Sequence, residues 1–264
     1  MARRELLAVL LSAAALGSLA CREPKPIWSD EFDKPGLPDP AKWSYDVGGE
    51  GWGNQELQYY TESSTKNARV EGGKLIVEAR KEDFGKNRFT SARLVSKNKG
   101  DWTYGLIKVR AKLPKGRGTW PAIWMLSTPV PNDPVGWPDR GEIDIMEHVG
   151  HDPGWVHASI HCKDFNWPMN TQKTAKLFIP DADSAFHEYS LLWRPERMEF
   201  FVDDKPVLTF PNDGKGFGSW PFDKPFHLLL NVAVGGMWGG QKGVDETVFP
   251  QRMEVDYVRV YRLP

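Results

Sequence analysis

The sequence has little cysteine and almost no net charge. Only two cysteines, Cys21 and Cys162, occur in 264 residues, which excludes a small domain held together by several disulfides. Lys and Arg number 34 against 35 Asp and Glu, so the net charge is −1, and it becomes −2 without residues 1–20, which carry +1. A chain without surplus positive charge lacks the attraction on which nucleic-acid binding depends. The composition therefore predicts no nucleic-acid partner.

Helical periodicity and linker sequences are missing as well. After the N-terminal segment, no stretch keeps apolar residues at a 3.6-residue period over three turns, which argues against a helical fold. No Ser-, Thr- or Pro-rich linker, internal repeat or second module divides the chain. We therefore expect one domain over residues 27–264, a size that all-β sandwiches can reach undivided. Monomer is the default expectation.

The first 20 residues have the pattern of a secretory signal peptide. Arg3 and Arg4 precede an apolar run over residues 6–16, which is too short to span a bilayer. The ending Leu19-Ala20-Cys21 resembles a bacterial lipoprotein signal, although Ser18 stands where such signals usually have Leu. Lipidation of Cys21 and ordinary cleavage near Ala20 both stay open. We predict a bacterial protein that is secreted or lipid-anchored at the cell envelope, with no other contact with the membrane.

The fate of Cys21 also decides the disulfide question. If Cys21 is lipidated, Cys162 has no partner and the mature protein has no disulfide. A Cys21–Cys162 bridge would require an unlipidated Cys21. We disfavour it because we expect Cys162 inside a strand and Cys21 in an unstructured lead-in.

Short alternating segments separated by turn residues are abundant. Apolar and polar positions alternate as they do in half-buried strands, and 25 Gly and 21 Pro separate the segments. Residues 228–234 are apolar apart from Asn231, so that strand should be covered on both faces. The strands are expected near residues 75–80, 107–113, 198–203, 205–210, 228–234 and 254–262, with the third and fourth forming a hairpin. The pattern predicts an all-β, antiparallel sandwich or barrel.

The most informative segment is acidic. It reads Gly141-Glu142-Ile143-Asp144-Ile145-Met146-Glu147-His148. Glu142 and Asp144 share one face of a regular strand, whereas Glu147, an odd number of residues from Glu142, would point away. One extra residue, a β-bulge near Ile145 or Met146, would bring all three carboxylates onto one face.

Three carboxylates on one strand face suggest catalysis. With the bulge, four effective steps of ~3.3 Å separate the backbones of Glu142 and Glu147 by roughly 13 Å, and leaning side chains narrow this to about 5–6 Å. That separation suits a retaining glycosidase, and mutual repulsion would keep one group protonated as the acid. A metal site, such as one for Ca²⁺, and a solvated acidic face are the alternatives.

The segment Glu-Ile-Asp-Ile-Met-Glu resembles the signature of glycoside hydrolase family 16, in its bulged, laminarinase-like form. The likeness covers almost the whole mature chain. The other segments that share it are residues 28–32, 51–61, 91–93, 118–124, 136–138, 231–236 and 256–261. The resemblance implies a concanavalin-like jelly-roll sandwich with an open substrate cleft on its concave face. It also implies that Glu142 is the nucleophile, that Glu147 is the general acid/base, and that Asp144 between them orients the nucleophile and holds its proton.

The same resemblance implies a set of sugar-binding residues. They are Trp124, Trp137, Trp120, Trp238, His161, Asn54, Glu56 and Arg93. Indole rings suit this role because they stack on the apolar faces of pyranoses, although most of the 12 tryptophans should fill the core. Alternatives stay open for several of them. Trp120 and His161 could belong to the core, Asn54 and Glu56 could cap a loop, and Arg93 could form an internal salt bridge.

Three further features concern the binding of sugar and of metal ions. Met237 stands where relatives often have Asn, which puts a sugar hydrogen bond there in doubt. His157 shares the strand face of His161 by parity, so a two-histidine metal site is conceivable. The resemblance also implies a structural Ca²⁺ held by Glu31, Asp256 and the carbonyl of Gly73. Hydrogen bonds are the other way to satisfy Asp256, and the catalytic step itself needs no cofactor.

The resemblance leaves four functions to weigh. The leading one is endo-hydrolysis of β-1,3-glucan, or of mixed β-1,3/1,4-glucan. A galactanase of the agarase or carrageenase type shares the acid motif, but a sulfated substrate would favour Arg and Lys near the acids, where Arg140 stands alone. A β-glucan transglycosylase would use the same glycosyl-enzyme. A non-catalytic glucan-binding protein is disfavoured because both glutamates are present.

Overall fold

The structure, a computed structural model, consists of two β-sheets with one hydrophobic core between them, and it describes residues 25–129 and 134–263. The predicted signal peptide and Cys21 lie outside the described residues. The strands are, in chain order, β1 (Trp28–Asp30), β2 (Ser44–Tyr45), β3 (Gln58–Tyr60), β4 (Ala68–Glu71), β5 (Lys74–Phe84), β6 (Asn87–Ser91), β7 (Arg93–Val95), β8 (Asp101–Trp102), β9 (Gly105–Lys112), β10 (Thr119–Ser127), β11 (Glu142–Glu147), β12 (Trp155–His161), β13 (Lys173–Phe178), β14 (His187–Trp193), β15 (Arg197–Val202), β16 (Lys205–Pro211), β17 (Phe226–Val234) and β18 (Gln251–Tyr261).

Helix is nearly absent from the part of the chain that the structure describes. It consists there of two 3₁₀ turns, Trp167–Met169 and Glu246–Val248. Neither turn is long or apolar enough to cross a membrane.

The two sheets differ in strand order. The sheet of eight strands, the cleft sheet, runs β13-β12-β11-β10-β17-β7-β2, with β8 also on β17. The sheet of ten strands, the back sheet, runs β16-β15-β14-β9-β18-β5-β6-β3, with β1 on β18 and β4 on β5. Among the described strands, β3 and β6 pair in parallel and the other pairs are antiparallel. The predicted antiparallel sandwich is therefore confirmed, including the hairpin of β15 and β16.

Alternation along the strands sends one set of side chains into the core. On β10, Ile123 and Met125 are fully buried between the sheets, while Trp120 and Trp124 point to the opposite face. All nine residues of β17 are buried, as the apolar run predicted. The set on one face packs in the core between the sheets, and Asn231 and Ala233 on the other face border the cleft. A fully buried Leu, Ile or Val side chain contributes about 1.5–3 kcal/mol to folding, so this strand is a main element of the core.

Cys162 lies just beyond the end of β12, not inside a strand as expected. Its side chain is fully buried and free, and its Sγ lies 3.6 Å from the carbonyl oxygen of Ser219. Burial raises the pKa of the thiol. The residue is therefore part of the core packing at the strand end.

The outer face of the back sheet carries acidic side chains paired with basic ones. Glu78 on β5 is bound by Arg80 and, at 3.0 Å, by Arg69. Glu254 on β18 pairs with Lys112 at 3.0 Å and with Arg252 at 3.2 Å. Because both glutamates are buried, these contacts supply the hydrogen bonds that buried carboxylates need.

The residues of the predicted calcium site belong to this paired surface. Three hydrogen bonds from Arg259 hold the Glu31 carboxylate, the shortest at 2.7 Å, and Arg110 donates to Asp256 at 2.6 Å. As they stand, the side chains do not form a cation site, because guanidinium groups hold both carboxylates. Of the two ways to satisfy Asp256, the structure shows the ionic hydrogen bond.

Candidate active site

The acidic segment forms β11, in the middle of the cleft sheet. Asp144 lies opposite Trp124 of β10, Met146 lies opposite Ile123, and Ile145 has no partner in that register. This is the predicted β-bulge. It turns Glu147 back to the face of Glu142 and Asp144, and all three carboxyl groups line one cleft of about 740 Å³.

The register also fixes the distance between the two glutamates along the strand. Glu142 pairs with Leu126 of β10 and Glu147 pairs with Ala122, four residues away. Four steps of ~3.3 Å place the two backbones roughly 13 Å apart, as expected from the sequence. The facing side chains can span the remaining gap around a glycosidic bond.

Each of the two glutamates accepts a hydrogen bond from an indole. Trp137 Nε1 donates to Glu142 Oε2 at 2.8 Å, and Trp120 Nε1 donates to Glu147 Oε1 at 3.0 Å. Trp120 is half-buried on the cleft face of β10, so it is a cleft residue and not part of the core. The indole N–H groups favour the ionised form of each carboxyl and fix its orientation.

Asp144 is the most buried of the three acids, with a relative exposure of 2%. It hydrogen-bonds to Glu142, and its Oδ2 lies 3.3 Å from Nε2 of His161. His161 is buried on β12 directly opposite Glu142, so it belongs to the acid cluster, not to the sandwich core. A carboxyl between Glu142 and a histidine can hold a proton close to Glu142, which is the role that the resemblance implies.

The pKa values of all three acids are raised. Burial raises the pKa of Glu142 to about 8, and the charge of Asp144 adds to the effect. Burial and the charge of Glu142 raise the pKa of Glu147 to about 7. Burial, followed by the charge of Glu147, raises the pKa of Asp144 well above its ordinary value. Because the groups titrate together, the protons belong to the cluster, which keeps at least one of them at neutral pH.

Among the described residues, one group of side chains could hold a metal ion, and it shares two acids with this cluster. One ligand atom each of Glu142, Asp144 and His161 lies within 4.8 Å of the others. His157 is not part of it. It faces the cleft opposite Glu147, and the four strand steps between the two histidines are about 13 Å, too far to share an ion.

One wall of the cleft is built around Arg93 of β7. Its guanidinium lies 4.8 Å from the ring centre of Trp52 and 4.6 Å from that of Trp124, and it forms an ion pair with Asp46 at 3.0 Å. Arg93 therefore lines the cleft and also forms the internal salt bridge that sequence reasoning gave as its alternative.

The polar residues Asn54 and Glu56 face the same wall. Asn54 Nδ2 donates to Glu56 Oε1 at 3.1 Å, and Gln58 Nε2 donates to Glu56 Oε2 at 2.6 Å. Burial raises the pKa of Glu56, against the hydrogen bonds that lower it. Both residues line the cleft, and both also make the internal hydrogen bonds of a loop residue.

The loop after β17 carries Trp238, which also lines the cleft. Its ring meets that of Trp120 edge to face at 5.6 Å and that of His157 at 4.9 Å. The backbone N–H of Met237 donates to the carbonyl of Asn54 at 2.7 Å, which ties the loop to the first wall. The Met237 side chain also lines the cleft and is 37% exposed.

All eleven predicted catalytic and sugar-binding residues line this one cleft. Sequence reasoning missed two that lie between them, Tyr60 on β3 and Asn231 on β17. Asn231 had a visible signal, since it is the one polar residue in the otherwise apolar run of residues 228–234. Other cleft residues that it missed are Trp52, Gly53, Ala122, Leu126, Ser159, Trp167, Gln172, Thr174, Ala233 and Gln241.

Comparisons with known proteins agree with this geometry. Residues 55–259 match the model of the family described as glycosyl hydrolases family 16. The chain is 53% identical to a beta-glucanase of Rhodothermus marinus, over 97% of this chain and 93% of that protein.

Solved structures of glucanases are similar to this structure as well. That of the laminarinase from Rhodothermus marinus superposes with a TM-score of 0.88 at 54% identity, covering 91% of this chain and 99% of that one. A mutant of a non-specific endo-beta-1,3(4)-glucanase with a glucan oligosaccharide at its active site has a TM-score of 0.86 at 47% identity, covering 92% and 96% of the two chains.

Proposed function

The chain belongs to glycosyl hydrolase family 16, and from this premise we propose that it is an endo-acting, retaining β-glucanase that cleaves β-1,3-glucan. The observation that carries the proposal is the bulged strand β11, which presents Glu142, Asp144 and Glu147 to a cleft lined with tryptophans. The names of the similar proteins, beta-glucanase and laminarinase, support the substrate class.

The reaction is a double displacement. Glu147 protonates the leaving glycosidic oxygen while the Glu142 carboxylate attacks the anomeric carbon, which gives a covalent glycosyl-enzyme. Glu147, now ionised, removes a proton from water, and the water displaces Glu142. The raised pKa of Glu147, about 7, suits a group that must be protonated in one step and ionised in the next. Because burial also raises the pKa of Glu142, to about 8, attack requires that Asp144 and not Glu142 holds the proton that the two groups share. No cofactor is needed, because the two glutamates supply the nucleophile and the proton.

The charge of the cleft favours a neutral glucan over a sulfated galactan. Among the described residues that line the cleft, Arg93 is the one Lys or Arg, and Asp46 already neutralises it. Four carboxyl groups line the same space, those of Glu56 and the three acids of β11. A sulfate group would meet repulsion there, whereas an uncharged glucose chain can stack on the indoles.

Mixed β-1,3/1,4-glucan is the second substrate that we propose. One solved structure of high similarity is a mutant of a non-specific endo-beta-1,3(4)-glucanase and carries 1,3-beta-D-cellobiosyl-glucose at its active site.

The first test is the release of reducing ends from four polymers: β-1,3-glucan, mixed-linkage glucan, agar and carrageenan. We expect fast release from β-1,3-glucan, slower or equal release from mixed-linkage glucan, and none from the two galactans. A fall in viscosity ahead of reducing-end release would show endo cleavage. Release from a galactan alone would overturn the glucan assignment but keep the fold and the acids.

The stereochemistry is tested separately. Proton NMR in the first minutes of digestion should show β-anomeric reducing ends before mutarotation produces the α-anomer. Products that are α-anomeric first would contradict the double displacement.

A glycosyl-enzyme can also pass its sugar to another sugar. Products longer than the starting oligosaccharide, seen by mass spectrometry at high substrate concentration, would mark transglycosylation as a second activity. We expect hydrolysis to dominate. A binding role without catalysis would be indicated by glucan binding with no product from any of the four polymers.

We also propose export, either with a lipid on Cys21 or after ordinary cleavage near Ala20, on the sequence pattern of residues 1–21. If Cys21 is lipidated, expression of the full chain with an alkyne fatty acid should label the protein, and Cys21→Ser should abolish the label. Secreted protein without label would indicate ordinary cleavage near Ala20.

A further inference from the structure

The indole N–H of Trp124 begins a chain of hydrogen bonds that runs through Asn231 of the neighbouring strand β17 to Tyr60 and Glu56. We infer that Tyr60 and Asn231 are positioning residues that fix the indole of Trp124 in the orientation in which it meets the sugar. This inference rests on the proposed function, since the orientation of Trp124 affects catalysis only if its ring contacts a bound glucan.

The first link runs from β10 to β17. Trp124 Nε1 donates to Asn231 Oδ1 at 2.7 Å. An indole nitrogen is a donor only, so the amide oxygen of Asn231 has to face it. The amide nitrogen of Asn231 consequently points the other way, to the hydroxyl of Tyr60 at 3.1 Å.

The second link runs from β17 to β3. Tyr60 is 1% exposed, and its ring packs against that of Trp52 at 5.3 Å. Its hydroxyl accepts from Asn231 and donates to Glu56 Oε2 at 3.3 Å. Burial raises the pKa of Tyr60 well above its ordinary value, so the hydroxyl keeps the proton that it donates.

The chain ends on an anchored carboxylate. Gln58 donates to Glu56 at 2.6 Å through its amide nitrogen, while its amide oxygen accepts from the backbone N–H of Val234 at 2.7 Å. Val234 lies on β17, the strand that also carries Asn231. Both ends of the chain are therefore attached to β17, and each donor has one acceptor to which it can turn.

The other contact of Trp124 does not fix this orientation. Arg93 lies over the ring at 4.6 Å from its centre. A cation over a ring restrains the tilt of the ring plane. It does not prevent a flip of about 180° around the Cβ–Cγ bond, because that flip keeps the plane and presents an equivalent face to the cation. The hydrogen bond to Asn231 decides which edge of the indole points to β17 and which points into the cleft.

Removal of the Tyr60 hydroxyl should release this restraint with little change to the surface of the cleft, since Tyr60 is 1% exposed. Tyr60→Phe keeps the ring that packs on Trp52 and leaves the amide of Asn231 free to rotate. We expect kcat/KM on a laminarin-type glucan to fall about 5- to 20-fold, within the range of coupling between groups of one hydrogen-bond network. The matched control is Tyr59→Phe, whose ring packs on Phe84 at 4.6 Å, outside the cleft lining, and it should retain the wild-type kcat/KM.

A double-mutant cycle with Trp124→Phe distinguishes positioning from general loss of structure. Phenylalanine has no indole N–H, so in that background Tyr60→Phe should change kcat/KM by less than about twofold. A second readout does not use activity. The indole ¹⁵N–¹H signal of Trp124, identified by its loss in Trp124→Phe, should exchange with solvent faster in Tyr60→Phe than in the wild type.

The outcomes separate the two proposals. A wild-type protein that cleaves no glucan overturns the proposed function and this inference with it. An active wild type in which Tyr60→Phe has no effect, or costs the same factor in both backgrounds, overturns the inference alone. If Tyr60→Phe does not fold, the same cycle with Asn231→Ala and Trp124→Phe decides the question.

Discussion

On the outer face of the back sheet, Glu78 and Glu254 each lie within 3.2 Å of two cationic side chains. In the cleft sheet, Glu142 and Glu147 each accept one indole N–H and have no ion pair with a Lys or Arg of the described chain. Both faces carry several acids, and the difference lies in their partners. Paired acids stabilise the sheet, whereas unpaired buried acids keep protons and can do chemistry.

The largest expected difference between the two faces is in activity. Glu142→Gln should lower kcat on the order of 10⁴-fold or more, and Glu147→Gln by about 10²- to 10⁴-fold, because they remove the nucleophile and the acid/base. Glu254→Gln, the matched change on the back sheet, should leave kcat within about twofold. Reducing-end assays on β-1,3-glucan measure all three, and unchanged activity of Glu142→Gln would end its assignment as nucleophile.

The stability of the fold should show the opposite order, because the paired acids of the back sheet contribute more to it than the acids of the cleft. Glu78→Gln removes the partner of two arginines from a buried position and should cost about 1–3 kcal/mol of unfolding free energy. Glu142→Gln removes a buried group that repels Asp144 and should leave the Tm unchanged or raise it. Thermal unfolding followed by circular dichroism compares the two. A cleft variant that loses more stability than Glu78→Gln would show that the comparison is wrong.

The contributions of the cleft acids and of a paired acid to stability should also depend on pH with opposite sign. The folded-state pKa values of Glu142 and Glu147, about 8 and 7, lie above the ordinary value of 4.5. The folded protein then binds more protons than the unfolded chain, so these groups favour folding below about pH 4.5 and lose that effect as the pH rises to about 8. Relative to the double variant Glu142→Gln/Glu147→Gln, the wild type should lose Tm between pH 5 and 8.

Glu31 is the control for that experiment. The hydrogen bond from Arg259 holds its pKa below the ordinary value of 4.5, so its contribution is present above that value and is lost as the pH falls through the folded-state pKa. The Tm difference between wild type and Glu31→Gln should therefore shrink on acidification. A difference that grows with acid would contradict the pairing with Arg259.

A smaller effect tests the indole donors. Trp120→Phe removes the N–H that favours the ionised form of Glu147, so the pKa of Glu147 should rise. Because Glu147 acts as an acid in the first step, the alkaline limb of the kcat/KM profile should move to higher pH. Trp137→Phe should instead move the acidic limb upward, since Glu142 has to be ionised. Equal movement of both limbs in both variants would refute the one-to-one pairing.

The smallest expected effect concerns calcium. Since arginines hold Glu31 and Asp256, removal of divalent ions should change the Tm by no more than about 1 °C, which corresponds to about a quarter to a half of 1 kcal/mol for a domain of this size. Differential scanning fluorimetry with and without EDTA checks this, with metal analysis of the purified protein. A loss of Tm that Ca²⁺ restores would show that an ion replaces the arginine contacts.

The local pattern of the sequence was sufficient for the strands and for the acid cluster. Alternation at residues 107–113 and 254–262 corresponds to β9 and β18, and the odd spacing of Glu147 predicted the bulge that the register shows at Ile145. These features depend on side-chain parity within one strand, which a sequence displays directly.

The sequence did not show which side chains the cleft residues contact. Trp120 could have been core or cleft by pattern, and only the structure shows its N–H on Glu147. Arg93 lies between Trp52 and Trp124, which come from segments that are far apart in the chain.

The sequence by itself predicted an antiparallel sandwich or barrel, the bulged strand and, through its motifs, the family. Each of these depends on alternation, spacing or a motif within a short segment. Only the tertiary structure decided which acids are paired and which are not, and how Tyr60 and Asn231 reach Trp124. Those relations depend on the order of strands in the sheets, which brings residues 171 positions apart to within a hydrogen bond. The spacing of residues along the chain does not show which strands lie next to one another in a sheet.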